Sequence, residues 1–217
     1  MRNTTRAEKI ISLVAKMPYF GLENLSIAEK NKEYLKILLS RYEKKGRLIR
    51  LKKSLYVSAD YLDNLEKKDL LSLYTEFTAN LIYSPSYLSL EYVLYEYNIL
   101  SEIPKNFTSV SLKKTIHLKN NLGDFFYHKI TQRLFLGFES FSKGNFVVFK
   151  ASRAKALFDY LYLRQDLLIN PEAIEELRLN LNNLTKGDLR EIKKYLKIEG
   201  SKKMYDIAKN IFKKFDF

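Results

Sequence analysis

Three groups of residues have the types and spacing to do chemistry. The first is KKGRLIRLKKSLYV, residues 44–57, with Lys or Arg at 44, 45, 47, 50, 52 and 53 and no acid. So dense a cationic run suits a polyanion, because Lys and Arg that neutralise phosphates release condensed counterions. The second is Asp124, Glu139 and Lys143, the residue types of a nuclease-type acidic cluster; their loose spacing reads as a solvated face. The third is the two histidines, His117 and His128, which stand in strand-like stretches without cysteine or a carboxylate ligand set beside them. They read as satisfied or surface histidines rather than metal ligands. Asp159, inside an apolar helical stretch, reads as a buried hydrogen-bonding residue or a partner contact. Tyr87, Tyr92 and Tyr95 form an aromatic stripe of the kind that fills a core. No glycine-rich phosphate loop, no G-x-S-x-G elbow and no cysteine occurs. Nothing meets the requirement of a nucleophile–base or metal–water constellation, so no catalysis, cofactor or metal is expected.

The distribution of charge sharpens the first group. The 217 residues carry a net charge of +13, of which residues 1–53 hold +9 and residues 178–217 hold +6, while residues 54–177 hold −2. A basic segment at one end of the chain points to a polyanion-binding module attached to a body with another task. An apolar fraction of 46 % marks a chain that can bury a core. The absence of cysteine fits a reducing compartment. Glu8, Lys9 and Lys16 interrupt any signal-peptide core, and no apolar run approaches a membrane span. A soluble, cytoplasmic protein is expected.

Thr5 is placed to cap a helix running to about Met17, with apolar residues at 7, 10, 11, 13, 14 and 17, ended by Pro18. A short second helix is predicted around Leu22 to Ala28. Asn31 caps a third, KEYLKILLSRYEKK, stopped by Gly46. On a wheel of 100° per residue Leu35, Leu38, Leu39 and Tyr42 share one face, and Tyr34, Lys36, Ile37, Ser40, Arg41 and Lys44 share the other. A hairpin follows, with strands at 47–51 and 55–57 joined by a turn at 52–54. Period-2 alternation sets Leu48, Arg50 and Lys52 against Ile49, Leu51 and Lys53, with Leu48, Leu51, Leu55 and Val57 packing on the helices.

Three helices and a two-stranded hairpin make the order of a winged helix-turn-helix, whose third helix enters the major groove and whose hairpin lies along the backbone. Lys32, Lys36, Ser40, Arg41 and Lys44 are thus expected to face the groove, and Arg47, Arg50, Lys52 and Lys53 to hold phosphates. Phosphates would also offset the repulsion among the hairpin's like charges. Beyond it, 58–66 reads as a linker or connecting helix, 67–82 as helix, and 84–100 as a short helix carrying the tyrosine stripe. Period 2 from residue 107 predicts five short strands up to Lys150, with turns near 120–121, 131–132 and 143–144. A helix capped by Ser152 follows, then a helical 172–217 with Pro171 at a start and Gly200 as a divider. The expected fold is α+β: a winged helix-turn-helix domain over 1–60, then a mixed domain over 61–217 with a small, mainly antiparallel sheet and basic C-terminal helices.

With these residues in view, the chain resembles the AbiEi family of antitoxins from type IV toxin–antitoxin (abortive infection) systems. The first matching stretch is KGRLIRLKKSLY, Lys45 to Tyr56, against K-G-x-[LI]-x-R-L-x-x-G-x-Y, with Ser54 at the glycine. The second is YLSLEYVLYEYNILSEIP, Tyr87 to Pro104, against a tyrosine-isoleucine-serine start, with Asn98 where glycine is common. The third is ASRAKALFD, Ala151 to Asp159, against A-S-P-E-K-A-L-x-D, with Arg153 and Ala154 in place of Pro-Glu. They span about residues 5–165 in the expected order. The resemblance implies an N-terminal domain that represses its own operon by binding inverted repeats in the promoter. It also implies a C-terminal domain that counters a nucleotidyltransferase-type toxin without a stable complex. No residue set for neutralising the toxin carries over.

Two rival classes stay open on the residues alone. One is a nucleic-acid-processing enzyme that uses the N-terminal module for targeting. The other is a module binding RNA or an acidic protein. The basic stretch 186–214 fits any of the three, or a solvated amphipathic helix pair.

Overall fold

The computed structural model describes residues 5–168, 170–213 and 215. Two compact units emerge: one runs to Thr78 and takes in Lys119–Gly123, the other holds Ala79–Leu118 and the chain from Asp124 onward.

The first unit opens with α1 (Arg6–Val14), where Thr5 and Glu8 form a reciprocal capping box. The helix stops short of Met17, whose N–H folds back 3.0 Å to the Val14 carbonyl, because Pro18 forces its predecessor out of the α region. The second helix is also shorter than expected. After α2 (Leu22–Leu25), the N–H groups of Ala28 and Glu29 both turn onto the Leu25 carbonyl, each at 3.0 Å. Helix α3 (Lys32–Lys44) is capped by the Asn31 side chain, and Gly46 leaves it at φ +69°, a conformation that glycine takes without strain. Ile10, Ile11, Val14, Phe20, Leu25, Leu35, Leu38, Leu39 and Leu48 close one core over the three helices and the hairpin.

The hairpin, β1 (Leu48–Lys52) and β2 (Leu55–Ser58), is antiparallel, but it does not keep strict alternation. The register slips between Arg50 and Lys52. This β-bulge resets the parity of the strand, which is why Leu48 and Leu51, three apart, are both buried while Arg50 and Lys52 are exposed. The Leu51 carbonyl accepts a hydrogen bond from Asn120 Nδ2 at 3.0 Å. A bridge that the sequence does not predict ties the hairpin to the chain before α2: Phe20 and Tyr56 exchange backbone bonds of 2.8 and 2.9 Å. The stretch after β2 is a helix, α4 (Ala59–Glu66). It leads to α5 (Leu71–Ile82), where the buried Tyr74 donates its hydroxyl to the Pro18 carbonyl at 2.6 Å.

The second unit is built on a six-stranded sheet of β3 (Ser86–Leu88), β4 (Phe107–Ser111), β5 (Ile116–Asn120), β6 (Gly123–Lys129), β7 (Phe138–Lys143) and β8 (Phe146–Ala151). Spatial order is β5-β6-β4-β3-β8-β7. The five predicted strands all form. The sixth, β3, lies where a helix over 84–100 was predicted, and the helix there shrinks to α6 (Leu90–Glu96). Ser86, Tyr87 and Leu88 fill the slot between β4 and β8, and sheet pairing overrides the local helical spacing. Tyr87 therefore leaves the stripe of Tyr92 and Tyr95 and stands on a strand. The sheet is mixed. The β3–β4 and β7–β8 pairs are antiparallel, whereas β4–β6 and β3–β8 are parallel. The consecutive strands β4 and β5 are separated in space by β6, and β6 and β7 by β4, β3 and β8, which local periodicity does not encode.

Ser152 caps α7 (Arg153–Leu163), its hydroxyl accepting from the Lys155 N–H. Three more helices follow: α8 (Pro171–Glu175), α9 (Lys186–Glu199) and α10 (Lys202–Ile211), the last two divided by Gly200. Residues 176–185 are not α-helical, so the expected helical run over 172–217 is interrupted.

Candidate nucleic-acid interface

All nine residues proposed from the sequence to meet nucleic acid are exposed. On α3 the buried leucines occupy one side and Lys36, Ser40, Arg41 and Lys44 the other, whereas Lys32, the first residue of the helix, lies about 20° around the axis from Leu39 and so stands apart from the other four. The apolar core fixes this orientation, since Leu35, Leu38 and Leu39 cannot all be buried in any other rotation of the helix. Glu29, itself buried, accepts the Asn31 N–H at 2.9 Å and pairs with Arg6, which secures the entry to α3.

Charge on the α3 face is tempered. Lys36 pairs with Glu33 at 2.7 Å, both exposed, a contact of little energetic weight in water. Arg41 and Lys44 stand beside Ser40 and Ile37 around one shallow depression that Lys36 and Lys45 complete. Ile37 and Lys45 were not among the expected contact residues. The signal for Ile37 was its place among the polar residues of the wheel: it is 60 % exposed on a face with no apolar neighbour to cover it. Tyr34, expected on the same face, is instead half-buried against the core, with the Arg6 guanidinium 5.5 Å from its ring. A long ring can lean from the edge of a face onto the apolar side.

On the hairpin, Arg50, Lys52 and Lys53 project at and beside the turn. Arg50 Nε reaches the Lys52 carbonyl at 3.4 Å, which steers its guanidinium toward the tip. Arg47 pairs with Asp60 at 3.5 Å, so its charge is shared with α4. The turn is made by Lys53 and Ser54, and Ser54 holds φ +61°. Together the α3 face and the hairpin offer hydroxyl, guanidinium, ammonium and methyl groups, the set that reads base edges and holds phosphates.

The rival chemistry of the second unit does not assemble. Asp124 lies on β6 and Glu139 and Lys143 on β7, four strand spacings apart, roughly 19 Å at the usual separation. Asp124 instead pairs with His117 at 2.7 Å, whose ring stacks on Phe126. Burial pushes the His128 imidazole below its ordinary range. Among the described residues no group of three His, Cys, Asp or Glu could hold a metal ion, and no helix is long and apolar enough to cross a membrane.

Asp159 resolves to the first of its two readings. It and Lys155, one helical turn apart on α7, have fully buried side chains and pair at 2.6 Å. The second Asp159 oxygen accepts from the Tyr87 and Ser89 hydroxyls, each at 2.9 Å. The ammonium also faces the rings of Phe158, Tyr195 and Tyr87, with centroids 5.0, 5.3 and 6.0 Å away. Burial and the adjacent carboxylate push the Tyr87 hydroxyl far up, so it remains a donor. Gly137, at φ +77°, packs against the same cluster, and a Cβ there would stand 2.1 Å from the Tyr195 hydroxyl oxygen. Nothing in the sequence spacing brings Tyr87 and Ser89 to Asp159; the insertion of β3 into the sheet does.

The sequence matches no protein-family model, and no curated protein matches it.

Proposed function

We propose that the N-terminal unit is a winged helix-turn-helix that binds double-stranded DNA, with α3 in the major groove and the β1–β2 hairpin along the backbone. The observation that carries this reading is the α3 face itself. Lys36, Ile37, Ser40, Arg41 and Lys44 form one exposed, chemically mixed surface, followed directly by a hairpin whose basic side chains are exposed. Arg41 is suited to bidentate contact with guanine, Ser40 to either base, and the Ile37 methyls to a thymine methyl. Arg47, Arg50, Lys52 and Lys53 hold phosphates and set register.

We further propose that the chain is an AbiEi-type antitoxin that represses its own operon through inverted repeats and whose second unit counters a nucleotidyltransferase-type toxin. Two observations support this. Ser54 and Asn98 stand where the resemblance has glycine, and both hold positive φ, +61° and +52°, the backbone state for which glycine is the usual choice. Tyr87, Ser89, Lys155 and Asp159 come from the second and third matching stretches, and they meet in a single buried network.

The test is binding of the purified protein to the DNA just upstream of its gene, beside a scrambled duplex, at two salt concentrations. At least ten-fold tighter binding to the native fragment that survives moderate salt supports the reading. Equal, salt-labile binding to both leaves only nonspecific electrostatics and contradicts it.

A further inference from the structure

The C-terminal helices carry a cationic stripe that the proposed function does not use. On α9, Lys186, Arg190, Lys193, Lys194 and Lys197 recur at i, i+4, i+7, i+8 and i+11 and are all exposed. At 100° per residue they fall within about 100° of arc and extend over roughly 16 Å of helix. The acids of the same helix all turn away from that arc. Asp188 closes the Thr185 cap and pairs with Arg153 at 2.8 Å. Glu191 accepts from Ser152 and Tyr195, and Glu199 accepts the Ser201 N–H at 2.8 Å. Among the described residues Lys186, Arg190, Lys194 and Lys197 make no ion pair. The opposite side of α9, with Ile192, Tyr195 and Leu196, is buried in the second unit.

Like charges at i,i+4 along one exposed arc repel by a few tenths of a kcal/mol per pair, a cost that a polyanion laid along the arc turns into attraction. We infer that the α9 stripe is a second nucleic-acid contact that holds the phosphate backbone of duplex DNA without reading sequence. Other polyanions fit less well. An interfacial membrane helix needs a free apolar face, and that of α9 is buried. Protein interfaces are depleted in Lys and centred on aromatic residues, and the arc has none. A single strand needs stacking rings, which the arc also lacks. The stripe offers no hydroxyl or amide to select a 2′-hydroxyl, and the choice of DNA over RNA duplex rests on the DNA-binding reading of the first unit.

The experiment uses the full chain in two backgrounds: unaltered, and with Arg50, Lys52 and Lys53 each changed to Ala. Into both goes the triple change Arg190→Ala, Lys194→Ala, Lys197→Ala, and binding to the upstream fragment and to a scrambled 40-base-pair DNA is followed against salt. Each lost phosphate contact lowers the logarithmic salt slope by about 0.9. The triple change is expected to reduce the slope by about two to three and weaken binding by about ten-fold or more at low salt in both backgrounds. A Lys194→Arg, Lys197→Arg control should retain binding. An unchanged slope in both backgrounds overturns the inference while leaving the α3 reading intact; loss of native-fragment preference with the stripe effect retained does the reverse. The triple change acting on a matched RNA duplex or on anionic phosphatidylserine vesicles, but not on DNA, also overturns it. Because variants can misfold, acetylation footprinting of the unaltered protein supplies an independent result. Bound DNA should protect Lys186, Lys194 and Lys197, and unprotected lysines contradict the proposal.

Discussion

Lys155 and Lys52 are the same residue in opposite circumstances, and the contrast separates the two units. Lys155 is removed from water, held by Asp159 at 2.6 Å and enclosed by rings. Lys52 sits exposed on an edge of a hairpin rich in its own charge. A buried charge must be answered inside the protein, because desolvation leaves no other partner. An exposed one contributes little to stability. The Lys155 site thus uses ionic chemistry to fix β3 against α7, and the hairpin displays it. Substitutions should divide accordingly, with stability lost in one place and binding lost in the other.

The largest effect tests the buried side. Lys155→Met strips the buried Asp159 of its ion pair and leaves it only the Tyr87 and Ser89 hydroxyls, and is expected to cost about 3–5 kcal/mol. Lys155→Met with Asp159→Leu should recover much of that loss, since no buried charge remains. Urea unfolding of both variants decides the matter. Equal destabilisation by the single and double changes would show that packing, not charge, dominates there.

A smaller effect belongs to the turn. Serine in the left-handed region carries a cost of roughly 1–2 kcal/mol, against which glycine adds about 0.5–1 kcal/mol of chain entropy. Ser54→Gly should therefore stabilise the protein by up to about 1 kcal/mol and leave DNA affinity unchanged. Asn98→Gly should move stability less, because asparagine tolerates this conformation at a helix C-terminus. A melting comparison that finds Ser54→Gly destabilising would place the strain elsewhere.

The smallest effect is set by pH. Burial lowers the His128 pKa below the ordinary imidazole value of 6.5, so the unfolded chain binds the proton first. Stability is then full above about pH 6.5 and falls as the pH drops from there toward the lowered folded value, where the loss levels off. His128→Gln should flatten that decline in unfolding curves between pH 5 and 8. An unchanged pH dependence would assign the decline to other groups.

Much of the first unit could be read in advance, because its signals are local. Thr5 and Asn31 cap where their side chains indicate, Gly46 ends α3, and the leucine spacing orients the helix. The bulge that lets Leu48 and Leu51 share a face was not legible, since strict alternation has no room for it. Neither was the Phe20–Tyr56 bridge, which depends on chain brought together over 36 residues. In the second unit the five longer strands announced themselves by alternation. The three-residue β3 was too short to do so, and its neighbours come from distant sequence. The candidate interface shows the same division: wheel geometry placed Lys36, Ile37, Ser40, Arg41 and Lys44 on the outward face, whereas the half-burial of Tyr34 appeared only with the packed core.

The central claim is that α3 reads base edges while the hairpin holds phosphates. The most direct measurement compares Arg41→Ala with Lys52→Ala on the upstream fragment and a scrambled duplex, each across a salt series. Arg41→Ala should lower affinity for the native fragment by about ten-fold or more and reduce its preference over the scramble. Lys52→Ala should weaken both duplexes about equally and lower the salt slope by about one. If Arg41→Ala weakens both duplexes equally, or Lys52→Ala acts on the native fragment alone, the division of roles between helix and hairpin is wrong.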